Sequence, residues 1–260
     1  MKATPDRFSL PIKIQPQPTD TACGPACLAA IYRYWGMPQA AQETTEHFHE
    51  LPGGGTMAVS LGVDALQRGM QVNLTSFNLQ MFDPTWFAIG TRAAEPDFLI
   101  DRLQKQLDAK RGDCGLDWTR FSHATKAYVE FIRLGGVVDS QPLAPDLLIN
   151  PLRSRVPVLC GLSATSLYRE AREHVVGRAN RPDDIAGYPQ GHFVVVHGYD
   201  TARDEIEIAD PLHDNPLSGD HHYHTSFLQF ASALLLGVMT YNANLLVIRA
   251  RENTETSDAK

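Results

Sequence analysis

Gly191-His192-Phe193-Val194-Val195-Val196-His197-Gly198-Tyr199-Asp200 is the stretch that decides the fold. Its run of β-branched and aromatic residues, without a helical period, predicts a buried strand with His192 at its entrance. A turn at 200 to 204 follows, and Glu205 to Ala209 reads as the returning strand of a hairpin. With the midpoint near residue 202, position 192 pairs near 212, so Asp210 falls at the same end of the hairpin as His192. Asp200 lies eight residues along the strand from His192, about 26 Å away at ~3.3 Å per residue, and reads as a turn residue. His197 is an odd number of positions from His192, so the alternation of side chains turns it to the opposite face.

Outward from this hairpin, Val156 to Leu162 and Asn244 to Arg249 have the same strand character, which makes the second half mainly sheet. The intervening polar segment, 164 to 190, is predicted to hold a helix from Ser166 to Val176, then Asn180-Arg181-Pro182-Asp183-Asp184. Its length marks it as a flap or insertion. Arg169, Glu170, Arg172, Glu173, Asp183 and Asp184 carry both signs, so their charge points to no one substrate charge.

The first half reads differently. Apolar residues at helical spacing predict helices over 96 to 110 and 119 to 134, and a third from an N-cap at Thr56 to near Gly69. A short strand is expected at Val72 to Phe77. The fold class is therefore α+β, a mainly helical half over residues 1–150 packed on an antiparallel sheet over 151–250. Residues 1–250 are expected to form one domain, with 251–260 a frayed tail.

Cys23 opens a further helix, read from Cys27, Leu28, Ile31, Tyr34 and Trp35 and stopped by Gly36 and Pro38. At that position backbone N–H groups and the helix dipole favour negative charge on the sulfur. Gly24 leaves room beside it, and Pro25 is tolerated because the first turn has no N–H partner to lose. Cys27, one turn further in, reads as core. Gln17 sits in the stiff Pro16-Gln17-Pro18 segment, where its amide and the Cys23 N–H would make two donors for one developing oxyanion.

Composition narrows the function classes. The chain has 260 residues, 43% of them hydrophobic, enough for a sizeable core and a pocket. Its 23 basic and 30 acidic residues give a net charge of -7 with no Lys/Arg stripe, which argues against a nucleic-acid partner. No stretch reaches the ~18 apolar residues of a membrane span, and Met1 to Ser9 lacks the apolar core of a signal peptide, so a cytoplasmic location is expected. Cysteines at 23, 27, 114 and 160 are too sparse for a disulfide framework. The oligomeric state is not legible. Gly53-Gly54-Gly55 lacks the Lys-Ser/Thr of a phosphate loop and reads as a flexible turn. His213, His221, His222 and His224 lie near Asp214 and Asp220 in what reads as a polar loop, and the spacing matches no Cys–His metal motif.

Taken together, Gln17 with Cys23-Gly24-Pro25-Ala26-Cys27-Leu28-Ala29-Ala30, then Gly191-His192-Phe193 and Ile208-Ala209-Asp210-Pro211, resemble the papain-like peptidases that remove double-glycine leaders from bacteriocins. More distantly, the pattern is similar to that of phytochelatin synthases. The resemblance implies a papain-like fold and a cysteine peptidase acting on a peptide or amide. Cys23 would be the nucleophile, His192 the general base and acid, Asp210 the group that orients it, and Gln17 the oxyanion donor, with no metal or organic cofactor. Three other readings stay open: γ-glutamyl-type acyl transfer, an inactive papain-like peptide-binding module, and a protein that binds metal through His221, His222 and His224.

Overall fold

The computed structural model describes residues 6–48, 55–87, 94–176 and 179–251. In chain order the elements are β1 (Arg7–Ser9), α1 (Cys23–Tyr34), α2 (Pro38–His47), α3 (Ala58–Gln67), β2 (Gln71–Ser76), α4 (Pro96–Ala109), α5 (Trp118–Arg133), β3 (Val137–Asp139) and α6 (Asp146–Arg153). The second half adds β4 (Val158–Ser163), α7 (Ala164–Tyr168), β5 (Glu173–Val176), β6 (Ala179–Pro182), β7 (Gly191–Asp200), β8 (Glu205–Ala209), β9 (His222–Ser226), α8 (Phe227–Leu236) and β10 (Asn244–Arg249).

One eight-stranded sheet runs β3-β2-β10-β4-β7-β8-β9, with β1 added against the far half of β7. Pairing is antiparallel throughout except between β2 and β3. The sheet is thus an α+β architecture to which the helical half lends three strands. In the β7–β8 ladder Asp200 faces Glu205 and Gly198 faces Glu207, but Val196 faces Ile208 and Val195 faces Ala209. His197 is the extra residue of a β-bulge, which slips the register by one. Continued three residues beyond Val195 and Ala209, this register sets His192 opposite Leu212.

Helix α1 is buried on every side from Cys23 to Tyr32, as expected of a helix that is apolar all round. Its close seat on the sheet depends on missing side chains. A Cβ on Gly24 would stand 3.2 Å from both Leu61 Cδ1 and the Phe193 ring, and one on Gly161 would stand 2.9 Å from the same ring. Phe193 fills the space between the two glycines, a burial that contributes about 1.5–3 kcal/mol. The core is continuous from α1, α3 and α5 through β2, β4, β7 and β10.

Three local expectations need correction. The helix read over Ser166–Val176 ends at Tyr168, where Arg169 takes a left-handed φ of +58°. Glu173 then exchanges backbone hydrogen bonds with Tyr188 at 3.0 and 2.7 Å, which draws residues 173–176 into a hairpin with 179–182 despite their helical propensity. Thr56 does not cap α3, whose N-cap is Met57. The stretch with His222 and His224, read as a polar loop, is strand β9, held by its ladder to β8. Gly53 and Gly54 lie outside the described residues, as does the tail from 252.

Candidate active site

Cys23 is the first residue of α1, and Ala22 before it gives no side-chain cap. The N–H groups of Cys23 and Gly24 therefore have no acceptor within the helix, and Pro25 has no N–H at all. Cys23 as a whole is buried, at 8% exposure. Cys27, one turn on, is fully buried and donates to the Phe193 carbonyl at 3.2 Å. Burial, then the neighbouring Cys23 and Asp210 charges, pushes its thiol well up, so it is no nucleophile.

His192 and Asp210 meet as the hairpin arithmetic requires. The imidazole Nε2 lies 2.8 Å from Asp210 Oδ1, with His192 4% and Asp210 0% exposed. Taken alone, burial would lower the histidine pKa. The Asp210 and Cys23 charges and hydrogen bonds to both outweigh it and hold the imidazole well above its ordinary range. Burial would likewise raise Asp210, but His192⁺ and donated hydrogen bonds keep it low.

Asp210 has more donors than the sequence indicated. The Tyr168 and Tyr223 hydroxyls donate to Oδ2 at 2.8 and 2.7 Å, and the Leu212 N–H donates to Oδ1 at 3.0 Å. Burial first, and then the carboxylate, pushes both phenols far up, so they remain donors. Tyr223 is on β9 opposite Ile208 and could have been found had β9 been read as a strand. Tyr168 closes the short α7, and no sequence signal marks it. Its ring also leans on the His192 ring, with centroids 5.9 Å apart.

Gln17 is buried at 6% exposure, and its backbone N–H donates to the Pro211 carbonyl at 2.7 Å, which ties the segment before Cys23 to the residue after Asp210. Its Nε2 donates to the Thr19 carbonyl at 3.0 Å. That acceptor fixes the amide's orientation and leaves one Nε2 hydrogen free. Gln17 and His192 together line a cleft that also reaches Tyr168, Glu170 and Glu173.

The other histidines lie apart from this group. The His197 Nε2 is 3.2 Å from His222 Nδ1, and its Nδ1 is 3.0 Å from the Leu10 carbonyl, deep on the other side of β7. His224 Nε2 approaches Glu207 at 4.0 Å, and His221 sits in a left-handed turn with φ of +65°. His221, His222 and His224 do not converge. Among the described residues no group of three His, Cys, Asp or Glu is arranged to hold a metal ion. Asp200 caps the turn by accepting from the Ala202 and Arg203 N–H groups. No described helix is long and apolar enough to cross a membrane.

In comparison with known structures the chain is similar, over 96% of its length and 88% of the other chain, to xylellain, a cysteine protease from Xylella fastidiosa, at 16% identity and a TM-score of 0.42. It is similar over 95% of its length and 99% of the other chain to a protein of Bacillus anthracis assigned as a C39-like peptidase, at 12% identity and a TM-score of 0.40. No family model and no curated protein matches the chain.

Proposed function

We propose that this chain is a cysteine peptidase in which Cys23, His192 and Asp210 form a catalytic triad and Gln17 helps to bind the oxyanion, all within one papain-like domain over residues 1–250. The observation that carries the reading is the buried 2.8 Å contact between His192 and Asp210, beside a cysteine at an uncapped helix start. Groups perturbed by burial together with a specific charge partner, as His192 is by Asp210 and Cys23, cluster at reactive sites.

With Nε2 engaged by Asp210, Nδ1 of His192 is the nitrogen that takes the Cys23 proton. The thiolate attacks the substrate carbonyl carbon, forming a C–S bond and an oxyanion that accepts from the Cys23 N–H and from Gln17 Nε2. His192 protonates the leaving nitrogen as the C–N bond breaks. Water then loses a proton to His192, attacks the thioester and releases the acid, restoring the thiol. Asp210 keeps the imidazole oriented and stabilises its charged form throughout.

The test is alkylation by iodoacetamide with mass spectrometry, run alongside cleavage of a mixed peptide pool. We expect Cys23 to label far ahead of Cys27, Cys160 and the exposed Cys114, the lead to vanish in His192→Ala, and new peptide termini to disappear in Cys23→Ala. Equal labelling of Cys23 and Cys114 would sink the reading.

A further inference from the structure

The cleft beside Gln17 and His192 has a volume of about 280 Å³, and apart from His192, which is already paired with Asp210, its charged lining residues are acidic. Asp20 enters from the segment before α1, Glu170 from the link between α7 and β5, and Glu173 from the first position of β5. No Lys or Arg is among the described residues that line it. Arg172, which the sequence places between the two glutamates, points elsewhere, its Nη2 donating to the Asp184 and Ile185 carbonyls. Of the mixed charges in this segment, then, the cleft keeps the acidic ones.

Two features show that this wall lacks its counterpart. Burial first, and then the Asp20 and Glu170 charges, raise the carboxyl of Glu173, which is half-buried while Asp20 and Glu170 are exposed. Gln17, buried and lining the same cleft, is held by Thr19 so that its Oε1 is a buried acceptor without a partner. Such an acceptor is costly to leave unmade. Both features call for a donor-rich cation.

We infer that the cleft is a subsite for a lysine or arginine side chain of the peptide substrate, received by Asp20, Glu170 and Glu173 next to Gln17. This rests on the peptidase reading and names its substrate class. The cationic head lies among the three carboxylates while the peptide carbonyl is presented to Cys23, and a substrate N–H or guanidinium satisfies Gln17 Oε1. An acidic side chain is rejected by like charge.

Binding to the full-length Cys23→Ala protein tests this without relying on turnover. Capped pentapeptides with a neutral dye, identical except for a central lysine, norleucine or glutamate, are titrated by fluorescence anisotropy. Lysine should bind roughly tenfold tighter than norleucine, the sum of several partly screened ion pairs, with glutamate weakest. In Glu170→Gln/Glu173→Gln, with folding checked by thermal melt, and separately in Asp20→Asn, the lysine advantage should shrink towards unity. Equal binding of lysine and norleucine, no binding of either, or an advantage that survives the double substitution overturns the inference. Because iodoacetamide labelling of Cys23 is scored separately, a failed subsite and a failed peptidase reading are distinguishable.

Discussion

The hydroxyls of Tyr168 and Tyr223, from elements 55 residues apart in the chain, donate to the same oxygen of Asp210 at 2.8 and 2.7 Å. The other oxygen is left to His192 and the Leu212 N–H. A carboxylate with no solvent exposure is thus satisfied on both oxygens, which is what keeps it charged in a dry place.

Tyr168→Phe and Tyr223→Phe each remove one hydrogen bond to a charged group. Each should lower stability by about 1.5–3 kcal/mol in urea titrations. With fewer donors to the ionised form, Asp210 protonates at higher pH. The acid limb of the melting-temperature profile should therefore move upward in both variants, and further in the double variant. An unmoved limb would mean that the tyrosines only pack.

The His192–Asp210 pair has a defined pH signature. The histidine value is raised from 6.5 to about 10, so its stabilisation is complete below 6.5 and lost as pH rises through about 10. The aspartate value is lowered from 3.8 to about 2, so its stabilisation is present above 3.8 and lost as pH falls through about 2. Thermal melts of wild type and Asp210→Asn should differ most between about pH 4 and 6.5 and converge towards both extremes. A pH-independent gap would contradict the pairing.

His197 behaves oppositely. Burial, followed by the charge of His222 and, less strongly, of His224, lowers it from 6.5 to about 4 against the opposing pull of Glu207 and the Leu10 carbonyl. A neutral buried histidine stabilises above 6.5, and that contribution is lost as pH falls through about 4. His197→Gln should flatten the fall in melting temperature over this range while leaving Cys23 labelling at pH 7 unchanged.

Gly191 adjoins His192, and a Cβ there would meet Asn242 Nδ2, and Thr240 Oγ1 at 2.7 Å. Gly191→Ala should cost about 1–3 kcal/mol by overpacking and displace His192, so both urea stability and Cys23 labelling should fall. Gly36→Ala, at φ of +73° with open space around it, should affect stability alone.

Much of this was legible because the decisive residues lie on regular elements. The period of 191–200 and 205–209 marked a hairpin that brings Asp210 to the same end as His192, whereas the bulge at His197 that slips the register by one had no sequence signal. The start of α1 was legible from Gly24, Pro25 and the apolar run after them. What escaped was set by tertiary pairing. Glu173–Val176 became a strand through bonds to Tyr188, and β9 through its ladder to β8, so neither Tyr223 nor the acidic wall around Glu173 could be read locally. Arg169, a non-glycine residue in the left-handed region, ends α7 without the usual glycine signal.

The extra residue at His197 acts as the vernier of the site. On the turn side of it, strand phase serves Glu207 and the β1 seam; on the open side, the phase is offset by one so that His192 and Asp210 come together. Deleting His197 would restore an unbroken ladder, and with it every side chain from 191 to 196 would exchange faces relative to 198–200. The strands could still form, but the imidazole would be rotated away from its carboxylate. The alignment of the two groups thus depends on a single count in the chain, five residues from the nearer one.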